Sequence, residues 1–194
     1  MKKLLLLIPL LLLLTGCSHD KAPTEKATEQ TSTSSSEKGN QMTLTRIDKN
    51  ESSTKIMATI ELEKGGQIKI ALYPEIAPNT VQNFINKAKS GFFNDLTFHR
   101  VEDWVVQGGD PEGTGSGGGE IAAEYNTRTF KVGSMGVARG GDPNINNDSQ
   151  FFITTIDSAF LDTNYTNFGD VVSGMEKVLE IAIGDKIKSV TVEQ

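Results

Sequence analysis

Cysteine and histidine are nearly absent from this chain of 194 residues, which holds one cysteine and two histidines. The single cysteine, Cys17, excludes an intrachain disulfide and a metal cluster built on several cysteines. His19 and His99 are too few for a zinc or iron site that uses several imidazoles. We therefore expect no metal site in this protein.

Positive charge is also scarce. Lys and Arg together number 19 against 25 Asp and Glu, which gives a formal net charge of −6 at pH 7. Phosphate backbones repel an acidic surface without a basic cluster, so we expect no nucleic-acid partner. The nine Phe, three Tyr and one Trp are spread along the chain after residue 55, as a single core requires. The length allows one folded domain of ordinary size.

The sequence at the N-terminus is typical of an export signal. Lys2 and Lys3 precede an apolar run at residues 4–14, which is shorter than the roughly 20 residues that a helix needs to span a bilayer. The run ends in Leu-Thr-Gly-Cys, which resembles the bacterial lipobox. That resemblance implies that Cys17 carries a diacylglyceryl group and becomes the mature N-terminus. The alternative is an ordinary secretory signal with an incidental cysteine, but the position of the only cysteine favours lipidation.

Three regions are predicted: a lipoprotein signal peptide at residues 1–16, the lipidated cysteine with a disordered tether at 17–53, and a folded domain at 54–194. The tether is dominated by Thr, Ser, Glu, Lys, Gln and Asn, and it cannot bury enough apolar surface to offset its backbone entropy. A flexible coil of roughly 36 residues reaches roughly 30–35 Å. The tether would therefore let the domain work away from the membrane.

Within the domain, short strand patterns and turns prevail over helix patterns. A glycine pair separates two alternating segments at 56–63 and 67–73, which predicts a β-hairpin. A helix is predicted to open at Pro78 and to end at about Lys89, before Gly91. Further strands are predicted at 97–101, 104–107, 131–138, 150–155, 167–172 and 187–192, with a second short helix at 173–180. This pattern predicts a mainly β fold, a closed barrel with two helices.

Two segments carry the candidate chemistry. Residues 98–110 and 137–153 place arginine, amide and aromatic side chains on predicted strands bounded by glycine. Such side chains can bind a neutral, amide-like ligand by hydrogen bonds, but they are poorly suited to catalysing hydrolysis. The glycine-rich stretch at 113–119 lacks the Gly-Lys-Ser/Thr ending and the following helix of a phosphate-binding loop.

The motifs in these segments resemble those of the cyclophilins, a family of peptidyl-prolyl cis-trans isomerases. The residues that carry the resemblance are Phe98-His99-Arg100, Gln107-Gly108-Gly109-Asp110, Ser149 to Ile153, Phe160-Leu161-Asp162 and Phe168-Gly169. The resemblance implies a closed eight-stranded antiparallel β-barrel capped by two helices. It also implies isomerisation of X-Pro bonds without a cofactor, proline-containing unfolded or exported proteins as substrates, and cyclosporin-type macrocycles as candidate ligands.

The same resemblance implies roles for individual residues. Arg100 would be the catalytic arginine and Gln107 the glutamine beside it, while Trp104 and Phe152 would form aromatic walls of a proline pocket. We expect His99 to pack or to form hydrogen bonds, since no proton is moved. The remaining substrate-binding positions that the resemblance implies are Val105, Ala138, Arg139, Gly140, Gln150, Phe160, Leu161 and Tyr165.

The chain departs from the family pattern around the pocket. Six residues separate Arg100 from Gln107, where the family typically has seven. Glu102 and Asp103 add negative charge in this connection, and Trp104 replaces the usual phenylalanine. These changes leave the chemistry in place, but they bear on which residue precedes proline in good substrates and on how well macrocycles bind.

The leading hypothesis is a monomeric isomerase of exported proteins, anchored by lipid at the extracytoplasmic face of the cell membrane. The alternative is a non-catalytic module on the same anchor that binds proline segments or acts as a chaperone, which the shortened connection and its acidic pair favour. A solute-binding lipoprotein of a transporter would share the anchor, but this domain is too small for the usual two lobes.

Overall fold

The computed structural model of the chain describes residues 56–193. The predicted signal peptide, Cys17 and the predicted tether lie outside this range. Among the described residues, no helix combines the length and the apolar character needed to cross a membrane.

The described residues form ten strands and two α-helices, with a short 3₁₀ turn at Ala159–Leu161. The strands are β1 (Ile56–Leu62), β2 (Gln67–Leu72), β3 (Phe98–Glu102), β4 (Val105–Gly108), β5 (Glu120–Ala122), β6 (Ser134–Val137), β7 (Ile145–Asn147), β8 (Phe151–Thr154), β9 (Asn167–Ser173) and β10 (Ile187–Glu193). The helices are α1 (Pro78–Lys89) and α2 (Met175–Leu179). Eight strands make one antiparallel sheet in the order β10-β1-β2-β9-β6-β8-β4-β3, while β5 and β7 pair separately.

The large sheet curls without closing. Its two edge strands, β10 and β3, are joined in the described part of the chain by an isolated bridge between Thr97 and Lys186 and by a few backbone hydrogen bonds beside it. The backbone next to this bridge leaves the extended conformation, with φ of 65° at Asp95 and 91° at Gly184, so no continuous ladder forms there. The mainly β class with two helices is confirmed, but the fold is a curled eight-stranded half-barrel and the predicted closed barrel is not observed.

Helix α1 forms where the sequence pattern predicts it. Proline at the first helical position already has the required φ and lacks an N–H that would go unpaired. The buried face consists of Val81, Phe84, Ile85 and Ala88 together with Thr80, at the spacing of an amphipathic helix. The predicted second helix at 173–180 is shorter than expected, because Gly174 adopts φ of 87° and α2 begins only after it.

Two apolar clusters hold the domain together. The larger one lies between the curled sheet and α1, and rings such as Phe84, Phe93 and Phe151 meet there at centroid distances of 5.1 to 6.0 Å. The smaller one consists of Val105, Phe130, Phe152 and Leu161, with Trp104 and Tyr165 packed against it. This smaller cluster forms the floor of the candidate site.

Candidate active site

A cavity of about 390 Å³ opens over the smaller apolar cluster. Most of the residues predicted for the site meet in its lining. They are Arg100, Trp104, Gln107, Ala138, Arg139, Phe152, Leu161 and Tyr165. His99, Thr114 and Gly115 also line the cavity, although no substrate contact was predicted for them.

Four predicted residues lie elsewhere. Val105 is only 1% exposed and packs behind the cavity wall. Phe160 is 62% exposed and meets the Trp104 ring edge-on at 5.4 Å, outside the cavity lining. Gly140 and Gln150 line a neighbouring cavity of about 290 Å³, which Gln107 also borders. The candidate site is therefore a central cavity over an apolar floor, with a second, smaller cavity beside it.

The β3–β4 hairpin places Arg100 and Gln107 opposite each other. Glu102 pairs with Val105 across the hairpin, so only two residues, Asp103 and Trp104, form its turn. Arg100 Nη1 donates a hydrogen bond to Gln107 Oε1 at 3.1 Å. Directly opposed side chains on one face of an antiparallel pair are close neighbours. The shortened connection therefore tightens the turn and leaves the arginine and the glutamine in contact.

Gln107 is held in turn by buried amides. Its Nε2 donates to Gln150 Oε1 at 2.9 Å. The Gln150 amide donates to the carbonyl oxygens of Gly117 at 2.8 Å and Gly115 at 3.1 Å. A chain of hydrogen bonds thus links Arg100 to the glycine-rich stretch at 113–119.

The glycine-rich stretch has a structural role around Asp110. This buried carboxylate accepts the backbone N–H groups of Glu112, at 2.9 Å, and Gly115. Burial alone would raise the pKa of Asp110, but these backbone hydrogen bonds outweigh it and lower the pKa below its ordinary value. A Cβ at Gly117 would lie 2.1 Å from Asp110 Oδ1. The glycines let the backbone wrap closely around an internal anion.

Aromatic rings form the apolar side of the cavity. Phe152 stacks on Phe130 at 5.7 Å and meets Tyr165 edge-on at 5.7 Å. The guanidinium of Arg139 lies 4.8 Å from the Tyr165 ring centroid, and its Nε donates to the carbonyl oxygen of Asn164 at 3.0 Å. Arg139 is therefore fixed at the rim, while Arg100 borders the cavity from the hairpin.

Two charged or titratable groups adjoin Arg100. Glu102 accepts a hydrogen bond from Arg100 Nε at 2.7 Å, and this bond is the main cause that lowers the pKa of Glu102. Burial lowers the pKa of His99, with partial opposition from Asp110. Neither His99 ring nitrogen has a hydrogen-bond partner within residues 56–193, although both are buried. His99 was expected to pack or to form hydrogen bonds, and it packs in the cavity lining with both ring nitrogens buried.

Two family models match the chain. The model described as "Cyclophilin type peptidyl-prolyl cis-trans isomerase/CLD" matches residues 57–194. The model described as "Prokaryotic membrane lipoprotein lipid attachment site" matches residues 1–18. The second match covers the lipobox-like sequence that ends at Cys17.

Curated relatives give the same family. Peptidyl-prolyl cis-trans isomerase B of Bacillus subtilis is 42% identical over 137 residues, which cover 68% of this chain and 94% of that protein. A peptidyl-prolyl cis-trans isomerase of Helicobacter pylori is 40% identical over 140 residues, which cover 69% of this chain and 84% of the relative.

Solved structures share the fold. The crystal structure of a cyclophilin type peptidyl-prolyl cis-trans isomerase of Cryptosporidium parvum matches with a TM-score of 0.66 at 26% identity. The match covers 72% of this chain and 98% of that one. A second structure of the same protein, in the presence of the dipeptide Ala-Pro, matches with a TM-score of 0.65. The chain belongs to the family of cyclophilin-type peptidyl-prolyl cis-trans isomerases.

Proposed function

We propose that this protein accelerates the cis-trans isomerisation of X-Pro bonds in exported proteins, held by a lipid on Cys17 at the extracytoplasmic face of the cell membrane. The observation that carries the proposal is the position of Arg100 in the lining of a cavity whose apolar side includes Phe152 and Leu161. A proline ring can pack against these apolar side chains, and the guanidinium supplies hydrogen-bond donors next to them. The relative studied in the presence of Ala-Pro supports a proline-containing ligand.

Arg100 would act on the peptide bond as it twists. Resonance stiffens this bond, and rotation about it costs roughly 18–20 kcal/mol. When the amide twists, its nitrogen regains a lone pair, which the guanidinium can hydrogen-bond. Because this bond exists only in the twisted state, it lowers the barrier without equally stabilising the ground state. A hydrogen bond from a charged donor contributes about 1.5–3 kcal/mol, which is on the order of one or two decades in rate.

The rest of the acceleration would come from holding the substrate on both sides of the bond. Phe152 and Trp104 would grip the proline ring, and the backbone at 138–140 would pair with the peptide. The backbone N–H of Ala138 already donates to Gln150 O, and its carbonyl accepts from Asn147 N. We therefore assign the pairing to Arg139 and Gly140.

The anchor and the tether complete the proposal. The match to a lipoprotein attachment site supports lipidation of Cys17, and two acyl chains give stable membrane binding where one gives only marginal binding. Residues 17–53 would then tether an isomerase domain at 54–194. Its substrates would be unfolded proline-containing chains that have just crossed the membrane.

The catalytic proposal is tested with the full-length protein in detergent and a proline tetrapeptide substrate. Arg100→Ala should lower kcat/KM by about tenfold to a hundredfold, since one charge-assisted hydrogen bond is lost. Arg100→Lys keeps the charge but loses the planar donor fork and should restore only part of the activity. Undiminished activity in Arg100→Ala would refute the assigned mechanism.

The anchoring proposal has a separate test. Cys17→Ala removes the site of lipidation, so the protein should either leave the membrane fraction or keep its uncleaved signal peptide. In both cases its electrophoretic mobility should change. Membrane association and mobility identical to wild type would show that Cys17 is not the anchor.

A non-catalytic binding module remains the second candidate, because Glu102 occupies one donor of Arg100. Exchange spectroscopy by NMR separates the two functions. An isomerase gives cross-peaks between the cis and trans signals of a proline peptide at substoichiometric protein, while a binding module shifts the signals without such exchange.

A further inference from the structure

Glu102 joins two parts of the candidate site through one carboxylate. Its Oε1 accepts a hydrogen bond from Arg100 Nε at 2.7 Å, and its Oε2 accepts one from Trp104 Nε1 at 2.9 Å. The Arg100 guanidinium carbon also lies 5.1 Å from the Trp104 ring centroid, within the range of a cation–π contact. Arg100, Glu102 and Trp104 therefore form a closed triangle of contacts.

The tight hairpin makes this triangle possible. Arg100 and Glu102 are two residues apart on β3, so their side chains leave the strand on the same face. Trp104 lies in the two-residue turn and not within a strand. A turn residue lacks strand neighbours on both sides to fix its side chain. The hydrogen bond to Glu102 supplies a fixed point at the indole nitrogen, and the edge-on contact with Phe160 supplies another.

The guanidinium of Arg100 is likewise held at two points. Glu102 accepts from Nε, and Gln107 accepts from Nη1 at 3.1 Å. An arginine side chain carries five N–H donors in one plane. Fixing two of them on different sides sets the orientation of that plane and leaves the other donors for a ligand.

We propose that Glu102 is a positioning residue: it holds the Arg100 guanidinium and the Trp104 wall in one fixed arrangement beside the proline pocket. This inference rests on the proposed role of Arg100 in isomerisation. Glu102 does not touch the substrate in this scheme, and it acts only through the two side chains that it binds.

The partial exposure of these side chains indicates that their contacts affect the geometry of the site more than the stability of the fold. The side chains of Arg100 and Glu102 are 39% and 48% exposed, and exposed ion pairs contribute little to folding. Replacing Glu102 should therefore leave the fold intact and change the orientation of the two side chains. We expect Glu102→Ala to lower kcat/KM by about threefold to tenfold, mainly through kcat, because Arg100 loses one of its two fixed points.

The chain offers a direct spectroscopic reporter. Trp104 is the only tryptophan, so all intrinsic tryptophan fluorescence of the full-length protein comes from the proposed triangle. Loss of the carboxylate removes the acceptor of the indole N–H. Glu102→Ala should shift the emission maximum and raise quenching by acrylamide, a neutral quencher that does not respond to surface charge.

Asp103→Asn is the matched control, since it removes the same charge from the adjacent turn residue. Both variants and wild type are compared as full-length protein in detergent for isomerisation, tryptophan emission, acrylamide quenching and thermal unfolding. The proposal requires changed emission and reduced kcat/KM in Glu102→Ala, with Asp103→Asn close to wild type. Wild-type activity and emission in Glu102→Ala, or equal losses in both variants, would overturn it.

Glu102→Gln gives a finer comparison. The amide has one oxygen, so it can accept from Arg100 or from Trp104 but cannot bind both through separate oxygens. Its activity should lie between those of wild type and Glu102→Ala, and values below those of Glu102→Ala would contradict the proposal. If Arg100→Ala keeps full activity, the catalytic role of Arg100 fails, whereas the tryptophan measurements still decide whether Glu102 holds Trp104.

Discussion

The side-chain amide of Gln107 donates a hydrogen bond to the side-chain oxygen of Gln150 at 2.9 Å, and both side chains are buried. Gln150 in turn donates hydrogen bonds to two carbonyl oxygens of the glycine-rich stretch, and Gln107 accepts a hydrogen bond from Arg100. Buried amides in such a network must keep their partners, because an unpaired polar group in the interior is costly. The orientation of Arg100 thus depends on a residue that does not line its cavity.

Gln150→Leu should weaken both the fold and the catalysis. It leaves the Gln107 amide and two backbone carbonyls without their partner, which should lower the free energy of unfolding by about 1–3 kcal/mol. Release of Gln107 should lower kcat/KM on the order of tenfold. Urea unfolding and the tetrapeptide assay measure the two effects. The control is Gln82→Leu on the exposed face of α1, and equal behaviour of the two variants would contradict the prediction.

Gly136→Ala should disturb the aromatic floor of the site. A Cβ at this position would lie 2.3 Å from Phe152 and 2.8 Å from Phe130, so the stacked rings must move. Overpacking of this kind typically costs about 1–3 kcal/mol, and displacement of Phe152 should raise KM. Gly141→Ala is the control, because nothing lies within 4 Å of its Cβ position. Thermal unfolding and Michaelis kinetics of both variants check the prediction, which fails if Gly136→Ala matches wild type.

Glu124 caps helix α1 from a distant part of the chain. Its carboxylate accepts the backbone N–H groups of Asn79 at 3.0 Å and Thr80 at 2.8 Å. Burial would raise the pKa of Glu124, but these hydrogen bonds prevail and lower it below the usual 4.5. Loss of a helix cap typically costs about 0.5–2 kcal/mol, so Glu124→Gln should lower the free energy of unfolding at neutral pH by that order.

The pH dependence of this effect follows from the lowered pKa. A carboxylate with a depressed folded-state pKa stabilises the fold above its unfolded-state pKa and loses that contribution as the pH falls through the folded-state pKa. The difference between wild type and Glu124→Gln should therefore be complete at pH 7 and should shrink below pH 4.5. Urea unfolding at several pH values measures it, with the exposed Glu120→Gln as the control. A difference that does not depend on pH would contradict the electrostatic cap.

Local patterns predicted the elements with strong periodicity. Helix α1 and the first hairpin appear within a residue or two of their predicted bounds, because apolar spacing and a glycine or proline mark their ends. Strands β5 and β7 were missed, since each has three residues and includes polar side chains such as Asn146. Such short strands depend on their partner and not on an apolar pattern of their own.

The residues of the site also divide into those that sequence motifs predict and those whose position depends on packing. Arg100, Gln107 and Phe152, which the family motifs predict for the site, line one cavity, because they lie on strands whose neighbours are set by the fold. Val105 is buried and Phe160 is exposed outside the cavity lining, since the depth of a side chain depends on packing. The contact of Glu102 with two site residues depends on the turn geometry, and the Glu124 cap joins positions 44 residues apart. Neither contact has a local sequence signal.

His99 provides the last prediction, which concerns the pH profile of the reaction. The proposed mechanism moves no proton. Burial lowers the pKa of His99 below its usual 6.5, so the ring beside Arg100 should be neutral above that pH. The charged groups that act on it are Asp110, which favours protonation, and Arg100, which opposes it.

The value of kcat/KM should therefore stay constant from pH 6.5 to pH 8.5. Below that range, protonation would place an imidazolium next to Arg100 and should lower both activity and stability. His99→Gln has no such titration, so its activity should persist further into acid than that of wild type. The isomerase assay across this range checks the expectation, with unfolding followed in parallel. A bell-shaped profile above pH 6.5 that disappears in His99→Gln would instead give His99 a part in proton transfer, which the proposed mechanism does not contain.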